Sequence, residues 1–368
     1  MNGWGKCKNI LCVRADNMGD VIMTAPALRA LKETFDARIT LLTSESGSLI
    51  SAYLPEVDET LSFDLPWIKS DQPVSGEDLS VLAEKIRSYH FDAVIIFTVY
   101  SQSALPAALF SFLAGIPKRL AYNRENPYDL LTHWLPDHEP FDHIIHQVER
   151  DLNLVKHIGA IPTHDFLSLT VGRNSVDSVF YKLKPFEISE EKSWIVLHPG
   201  VSEEKRKYPG RLWIEIGKQL LKKYHVPLLI TGSEAEIEIA ESIVAGIGTG
   251  AFNVAGKFTI EEFISLISKS RAVISVNTST IHIAAAMQTP LVVLYAQTNP
   301  QHTPWKSVHV TLPFSVEDQL KSKNTIVRLV SEKLFSKVIP YPDPAEVLEA
   351  ISQILDYNTD TLPTVRFE

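Results

Sequence analysis

Cysteine is nearly absent: Cys7 and Cys12 are the two in 368 residues. They lie on or beside the first apolar stretch and have no partner cluster. That excludes a disulfide framework and a zinc site and suits a reducing, cytoplasmic setting. Long hydrophobic runs are absent too. The start, MNGWGKCKNILCVRAD, offers only Ile10–Val13 before Arg14, too short for a signal-peptide core. The nearest approach to a membrane span is Ala104 to Ile116, ALPAALFSFLAGI. It falls short of the roughly 18 apolar residues a crossing helix needs, and it reads as a buried helix in preference to a membrane-touching surface. Positive charge is in deficit, with 35 Lys and Arg against 44 Asp and Glu and a net charge of −9, which argues against a nucleic-acid partner. No repeat of fixed period and no low-complexity tract occurs. No G-x-G-x-x-G opens a strand–helix unit and no Walker sequence is present, so dinucleotide and kinase chemistry lose their usual signatures. There is no D-x-D to hold a divalent metal on a diphosphate.

What is there describes a globular chain, 45% apolar and 21% charged. Its length exceeds one ordinary core and predicts two domains. In the first half, strands are expected at Ile10–Val13, Arg38–Leu42, Thr60–Phe63, Asp92–Phe97 and Lys118–Tyr122. Helices are expected at Val21–Phe35 (with Pro26 costing or bending a turn), Leu79–Tyr89, from Ala104, and across Phe141–Ile158. The pattern weakens from Gly159 to Glu191, with a strand near Phe166–Val171, and 166–192 reads as a linker. A second series begins at Trp194–Leu197. Its strands are Pro227–Ile230, Phe252–Val254, Ala272–Val276 and Leu291–Leu294; its helices are Arg211–Lys223, Glu234–Ala245 and Ile260–Ser268. Leu312–Pro342 reads as irregular and Asp343–Tyr357 as a final helix. Strands alternating with helices imply parallel sheets with right-handed crossovers. The divisions expected are 1–165, a linker at 166–192, 193–340, and a C-terminal helical segment 341–368 able to cross back to the first domain.

Four stretches carry chemistry. In Arg271–Thr298, Asn277-Thr278-Ser279-Thr280 join a buried strand to a helix start, a place that offers free N–H groups and the positive dipole end to an anion; an ordinary capped βαβ unit would look similar. His198-Pro199-Gly200 follow a strand and precede Lys205-Arg206-Lys207, a Gly turn and cations suited to a phosphate. Glu203-Glu204 beside them fit a solvated loop equally well. Thr231-Gly232-Ser233-Glu234 place a carboxylate that could take ribose hydroxyls, or a capping box of Ser233 with Glu236. Asp20, after Arg14 and Gly19, stands at a helix start that favours its ionised form. It could act as a general base or as a cap. Gly246-Ile247-Gly248-Thr249-Gly250 follows a helix and reads as a helix exit.

Together the stretches ILCVRADNMGDVIMTAPALRALK, KRLAY, HIIHQVERDLNLVKHIG, VLHPGVSEEKRKYPGRLWIEIG, LLITGSEAE and ISVNTSTIHIAAAMQTPLVVLY resemble the heptosyltransferases, the glycosyltransferases of family 9. The resemblance runs from Ile10 to about Trp305. It implies an α/β GT-B fold, two Rossmann-like domains facing each other across a cleft, the first for the acceptor and the second for a nucleotide-sugar. It implies an inverting, metal-independent transfer from a donor such as ADP-heptose to a lipopolysaccharide-core or other glycan acceptor, in the cytoplasm or at the inner membrane face. By position it makes Asp20 the catalytic base and Arg14 a basic residue of the first loop. Gly200, Val201, Lys205, Arg206, Thr278, Ser279 and His282 fall at the diphosphate, Glu234 at the ribose, Phe258 near the adenine and Asn277 at the donor sugar. Three departures stand out: Asn277-Thr278-Ser279 replaces the family's Asp-Thr-Gly, Arg206 fills its lysine slot, and Leu312–Pro342 has no counterpart. A different donor, or a non-catalytic sugar- or nucleotide-binding protein of the same fold, are the alternatives.

Overall fold

The computed structural model describes residues 3–69, 73–190 and 192–355. The chain forms two compact units, divided between Ser168 and Leu169. The first unit contains β1 (Asn9–Val13), α1 (Met18–Phe35), β2 (Arg38–Thr43), α2 (Glu45–Ser51), β3 (Glu59–Ser62), α3 (Gly76–Ser88), β4 (Ala93–Ile96), α4 (Leu105–Leu113), β5 (Lys118–Asn123), β6 (His133–Pro136) and α5 (Gln147–Lys156). The second contains α6 (Arg173–Leu183), β7 (Ile195–His198), α7 (Gly210–Tyr224), β8 (Leu228–Ile230), α8 (Ile237–Ile247), β9 (Ala251–Asn253), α9 (Ile260–Lys269), β10 (Ala272–Val276), α10 (Ser279–Ala286), β11 (Leu291–Ala296), β12 (His309–Phe314), α11 (Thr325–Leu334) and α12 (Pro344–Leu355).

Each unit is built on one six-stranded sheet, in the orders β3-β2-β1-β4-β5-β6 and β12-β11-β10-β7-β8-β9. Every pairing is parallel. The central strands β4, β10 and β11 are buried at every residue rather than alternately. That is the pattern of a sheet covered by helices on both faces. In both sheets the first and fourth strands are neighbours, and the chain winds outward from them in opposite directions. The loops leaving the carboxyl ends of β1 and β4, and of β7 and β10, therefore flank a switch point, where such sheets bind ligands.

Several expectations need correcting. α1 begins at Met18 and runs through Pro26, so Asp20 lies inside its first turn. The helix expected from Phe141 forms only from Gln147. No strand forms at 166–171, although Leu167, Leu169 and Val171 alternate in burial. The carbonyls of His164 and Phe166 are met by the Arg29 guanidinium at 3.2 and 2.9 Å instead of by a neighbouring strand. The segment read as a linker carries α6, which packs on α9. The region read as irregular carries β12, which extends the second sheet beside β11, and α11. α12 packs on α7, β11 and β12. Residues 356–368 of that final segment lie outside the described residues. The helix from Ala104 is apolar as read, yet Leu109, Phe112 and Leu113 are about half exposed, at 47%, 47% and 56%.

Candidate functional site

At the switch point of the first unit, β1 delivers Arg14 into full burial, with 0% of its side chain exposed. Its Nη2 donates to Asp20 Oδ1 at 2.8 Å, and its Nε lies 3.4 Å from Asp16 Oδ2. Asp16 also accepts from Gln102 Nε2 at 2.6 Å, on the loop after β4. Burial pushes the Asp16 carboxyl up, against the pull of Arg14. Asp151 on α5 approaches the same cluster. Its oxygens meet Gln147 Nε2 at 2.7 Å and Thr24 Oγ1 at 2.9 Å, and burial pushes its carboxyl up to about 6 although Arg14 opposes the shift. Burial alone would lower the Arg14 guanidinium, but Asp16, Asp20 and Asp151 together hold it above its ordinary value. A cavity of about 220 Å³ opens beside the cluster, lined by Asp16, Thr98, Ser101, Gln102 and Trp67 among others. The structure thus brings together Arg14 and Asp20, both singled out in the sequence. It adds Asp16, Gln102, Thr24 and Asp151, which sequence reasoning did not single out. The signal for Asp16 was two aspartates in one short loop. For Asp151 it was the i, i+4 pair with Gln147, which puts both on one helix face.

At the switch point of the second unit, His198 ends β7. Its Nδ1 lies 2.9 Å from Thr231 Oγ1, and burial pushes the imidazole down to about 4 although Glu236 opposes the shift, so it is neutral at pH 7. Gly200 lets the Glu236 carboxylate lie close against the backbone: a Cβ there would stand 2.3–2.5 Å from it and push that side chain aside. Glu236 closes the capping box with Ser233, as the spacing allowed, which leaves Glu234 exposed with its Cγ against Gly256. Val201 is half-buried and packs against the core of this unit.

The basic cluster is paired internally. Glu203 meets Lys205 Nζ at 3.1 Å and Arg206 Nη2 at 3.0 Å, while Lys207 pairs with Glu204 at 3.1 Å. Arg206 Nη1 also donates to the Asn277 carbonyl at 3.2 Å, which joins the basic loop to the strand end before α10. Thr278 is the N-cap residue of α10, and its Oγ1 is buried without a hydrogen-bond partner among the described residues. Ser279 opens the helix. His282, one turn on, is 4% exposed with its ring 6.3 Å from that of His302. Asn277, expected at the donor sugar, turns its amide instead onto Ala296 and Thr298 of its own unit. Phe258 carries Lys182 Nζ 5.7 Å from its ring centroid. Among the described residues, no group of three or more His, Cys, Asp or Glu could hold a metal ion, and no helix is long and apolar enough to cross a membrane.

Lipopolysaccharide heptosyltransferase 2 of Escherichia coli (strain K12) is 25% identical over 311 residues, spanning 80% of this chain and 84% of that one. The glycosyl transferase family 9 structure from Veillonella parvula DSM 2008 superposes with a TM-score of 0.78 at 17% identity, covering 95% of this chain and 97% of that one. E. coli ADP-heptose lps heptosyltransferase II superposes with a TM-score of 0.70 at 22% identity, covering 94% and 98%. These share the fold of two Rossmann-like α/β domains, GT-B. Residues 80–331 match the model of glycosyltransferase family 9 (heptosyltransferase), and the chain is a glycosyltransferase belonging to that family.

Proposed function

We propose that the chain moves a heptose, or a closely related sugar, from a nucleoside-diphosphate donor of the ADP-heptose kind to a glycan acceptor of the lipopolysaccharide-core kind. The names of its relatives support this choice of donor and acceptor. The observation that carries the chemistry is the Asp20 carboxylate, held in the first turn of α1 by a fully buried guanidinium 2.8 Å away. In the reaction, Asp20 takes the proton of an acceptor hydroxyl as that oxygen bonds to the anomeric carbon. The bond from that carbon to the diphosphate oxygen breaks, the sugar inverts, and the nucleoside diphosphate leaves with the bonding pair. The charge it gains falls to Arg206, Lys205, the turn at Gly200–Val201 and the α10 start at Thr278 and Ser279, with His282 behind it. Such groups act without a metal ion, and Glu234 and Phe258 are assigned to the ribose and the base.

The working place we propose is the cytoplasmic side of the inner membrane. The exposed Leu109, Phe112 and Leu113 lie three and four residues apart on one face of α4, which suits contact with a bilayer carrying a glycolipid acceptor. One assay tests both parts: turnover of ADP-heptose by the parent and by Asp20→Asn, with the acceptor presented in phosphatidylglycerol-containing vesicles and EDTA present. Loss of a general base costs roughly 10²–10⁴-fold in rate, and nucleotide affinity is expected to be unchanged. Asp20→Asn turning over within a few-fold of the parent would sink the base assignment. Abolition by EDTA would overturn metal independence, and a chain that stays in the supernatant with and without vesicles would remove the bilayer contact.

A further inference from the structure

The last ladder pair between β10 and β11 joins Val276 to Leu294, and β11 runs two residues further, to Ala296. Asn277 continues the ladder with its side chain. Its Oδ1 accepts from the Ala296 N–H at 3.1 Å, and its Nδ2 donates to the Ala296 carbonyl at 3.1 Å and to Thr298 Oγ1 at 3.1 Å. The two groups of Ala296 fix which way the amide faces. The residue is 7% exposed, so water does not substitute for these bonds. With the amide standing in for the backbone, the Asn277 main chain is released from the sheet. Its carbonyl receives Arg206 Nη1 at 3.2 Å, and the next residue, Thr278, caps α10.

We propose that Asn277 is a positioning residue. Its amide clamps the end of β10 to β11 and thereby sets the α10 start and Arg206 toward the diphosphate, while making no contact with the donor sugar. The amide is the chemistry this requires. A side chain must present one donor and one acceptor in a plane to meet a backbone N–H and C=O together. A carboxylate meets the N–H but sets an anionic oxygen against the Ala296 carbonyl. Glutamine carries the amide one methylene too far, and alanine leaves both backbone groups unmet in a buried place. The inference rests on the reading of this unit as the nucleotide-sugar half.

The test uses the full chain with Asn277→Ala and Asn277→Asp. Asn277→Ser serves as the milder change should the alanine variant fail to melt cooperatively. Three readouts are taken: calorimetric affinity for ADP alone and for ADP-heptose, the separate KM values of donor and acceptor, and hydrogen exchange at the Ala296 amide without ligand. We expect a loss on the order of tenfold for ADP, the same factor for ADP-heptose, a raised donor KM with the acceptor KM unmoved, and, in Asn277→Ala, faster exchange at Ala296. Unchanged ADP affinity with weakened ADP-heptose would put the amide on the sugar and overturn the proposal. Unchanged exchange at Ala296 would overturn the clamp itself. A parent that fails to bind ADP at all would refute the donor reading, and the exchange measurement would still decide the clamp.

Discussion

The two switch points share a topology and differ in how they treat charge. At the end of β1 the guanidinium of Arg14 is fully buried, in contact with Asp16 and Asp20. At the end of β7 the cations stay partly in water: Lys205 and Arg206 are 26% and 25% exposed, and both lean on Glu203 at 29%. Buried charges have few alternative partners, because each loss leaves an uncompensated ion in a medium of low polarity. Partly exposed pairs exchange partners at little cost, because solvent screens both states. The first site is therefore a fixed electrostatic frame around Asp20. The second is a set of cations on loan to a glutamate until a stronger anion arrives. Under the proposed assignment of Asp20 as base and these cations to the diphosphate, that is what chemistry and binding respectively ask for. A general base needs a fixed place, whereas a diphosphate must be taken up and released in every turnover.

The sharpest way to break this contrast is to remove one cation from each site. Arg14→Ala leaves Asp16 and Asp20 without their shared partner, and breaking a buried pair costs about 3–5 kcal/mol. Lys205→Ala should cost at most about 1 kcal/mol, the range of partly exposed pairs. Urea or thermal unfolding of both variants measures the difference. Equal losses would show that the first site is no more rigidly held than the second.

The next largest effect is in pH. Thr24 Oγ1 lies 3.0 Å from the Asp20 carbonyl and 2.9 Å from Asp151 Oδ2, and its single proton can serve only one of them. A protonated Asp151 resolves this, its own proton going to Thr24 Oγ1 and the threonine proton to Asp20. The groups facing this carboxyl are Arg14 beyond β1, Thr24 on α1, Gln147 and Arg150 on α5, and Tyr122 on β5. Burial raises the Asp151 carboxyl from its usual 3.8 to about 6. The folded chain thus binds this proton more tightly than the unfolded one. The stability it contributes is fully present below about pH 4 and is lost as pH rises through about 6, amounting to ~3 kcal/mol in all. Asp151→Asn cannot ionise and keeps a donor for Thr24 and an acceptor for Gln147. It should flatten the stability profile between pH 4 and 6 and melt above the parent at pH 8. A parallel pair of profiles would mean that Asp151 is not the group that titrates.

How much of this was legible depended on whether the sequence signal was local. Strand, loop and helix around Asp20, and the run from Ala272 to Thr298, were readable because burial on both faces makes strands uniformly apolar and small polar residues cap the helices that follow. The elements missed had weak or interrupted signals. α6 has apolar residues at Val176, Val179, Phe180 and Leu183, a helical spacing hidden between Pro162 and Pro185. α2 is short and Ser/Gly-rich, held by Ser44 accepting from the Gly47 amide at 3.0 Å, with Gly47 so tightly placed that a Cβ would stand 2.0 Å from Thr43 Oγ1. β6 and β12 are half-exposed edge strands without a continuous apolar run. The site's partners were less legible still. Asp151 stands 131 residues from Asp20 in the chain and reaches its cluster only through the packing of α5 on α1. The partners of the Asn277 amide were equally hidden, since Ala296 lies on the next strand.

The smallest effect expected concerns the glutamate that holds the cations. Glu203 bridges Lys205 at 3.1 Å and Arg206 at 3.0 Å, so a diphosphate arriving at these cations must displace it. The carboxylate is an internal competitor of the same charge sign as the ligand, and each pair it makes is worth about 0.2–1 kcal/mol at this exposure. Glu203→Gln keeps the shape and removes the charge. The competition ends, and affinity for ADP should rise by roughly two- to fivefold, with the gain shrinking as salt screens the pairs in the parent. The same substitution at Glu204, which holds only the more exposed Lys207, should leave affinity where it was. Calorimetry at low and high ionic strength reads both variants. Weaker ADP binding in Glu203→Gln would mean that the glutamate aims Lys205 and Arg206 at the ligand rather than competing with it. The second switch point would then be as preorganised as the first, and the contrast between them would fail.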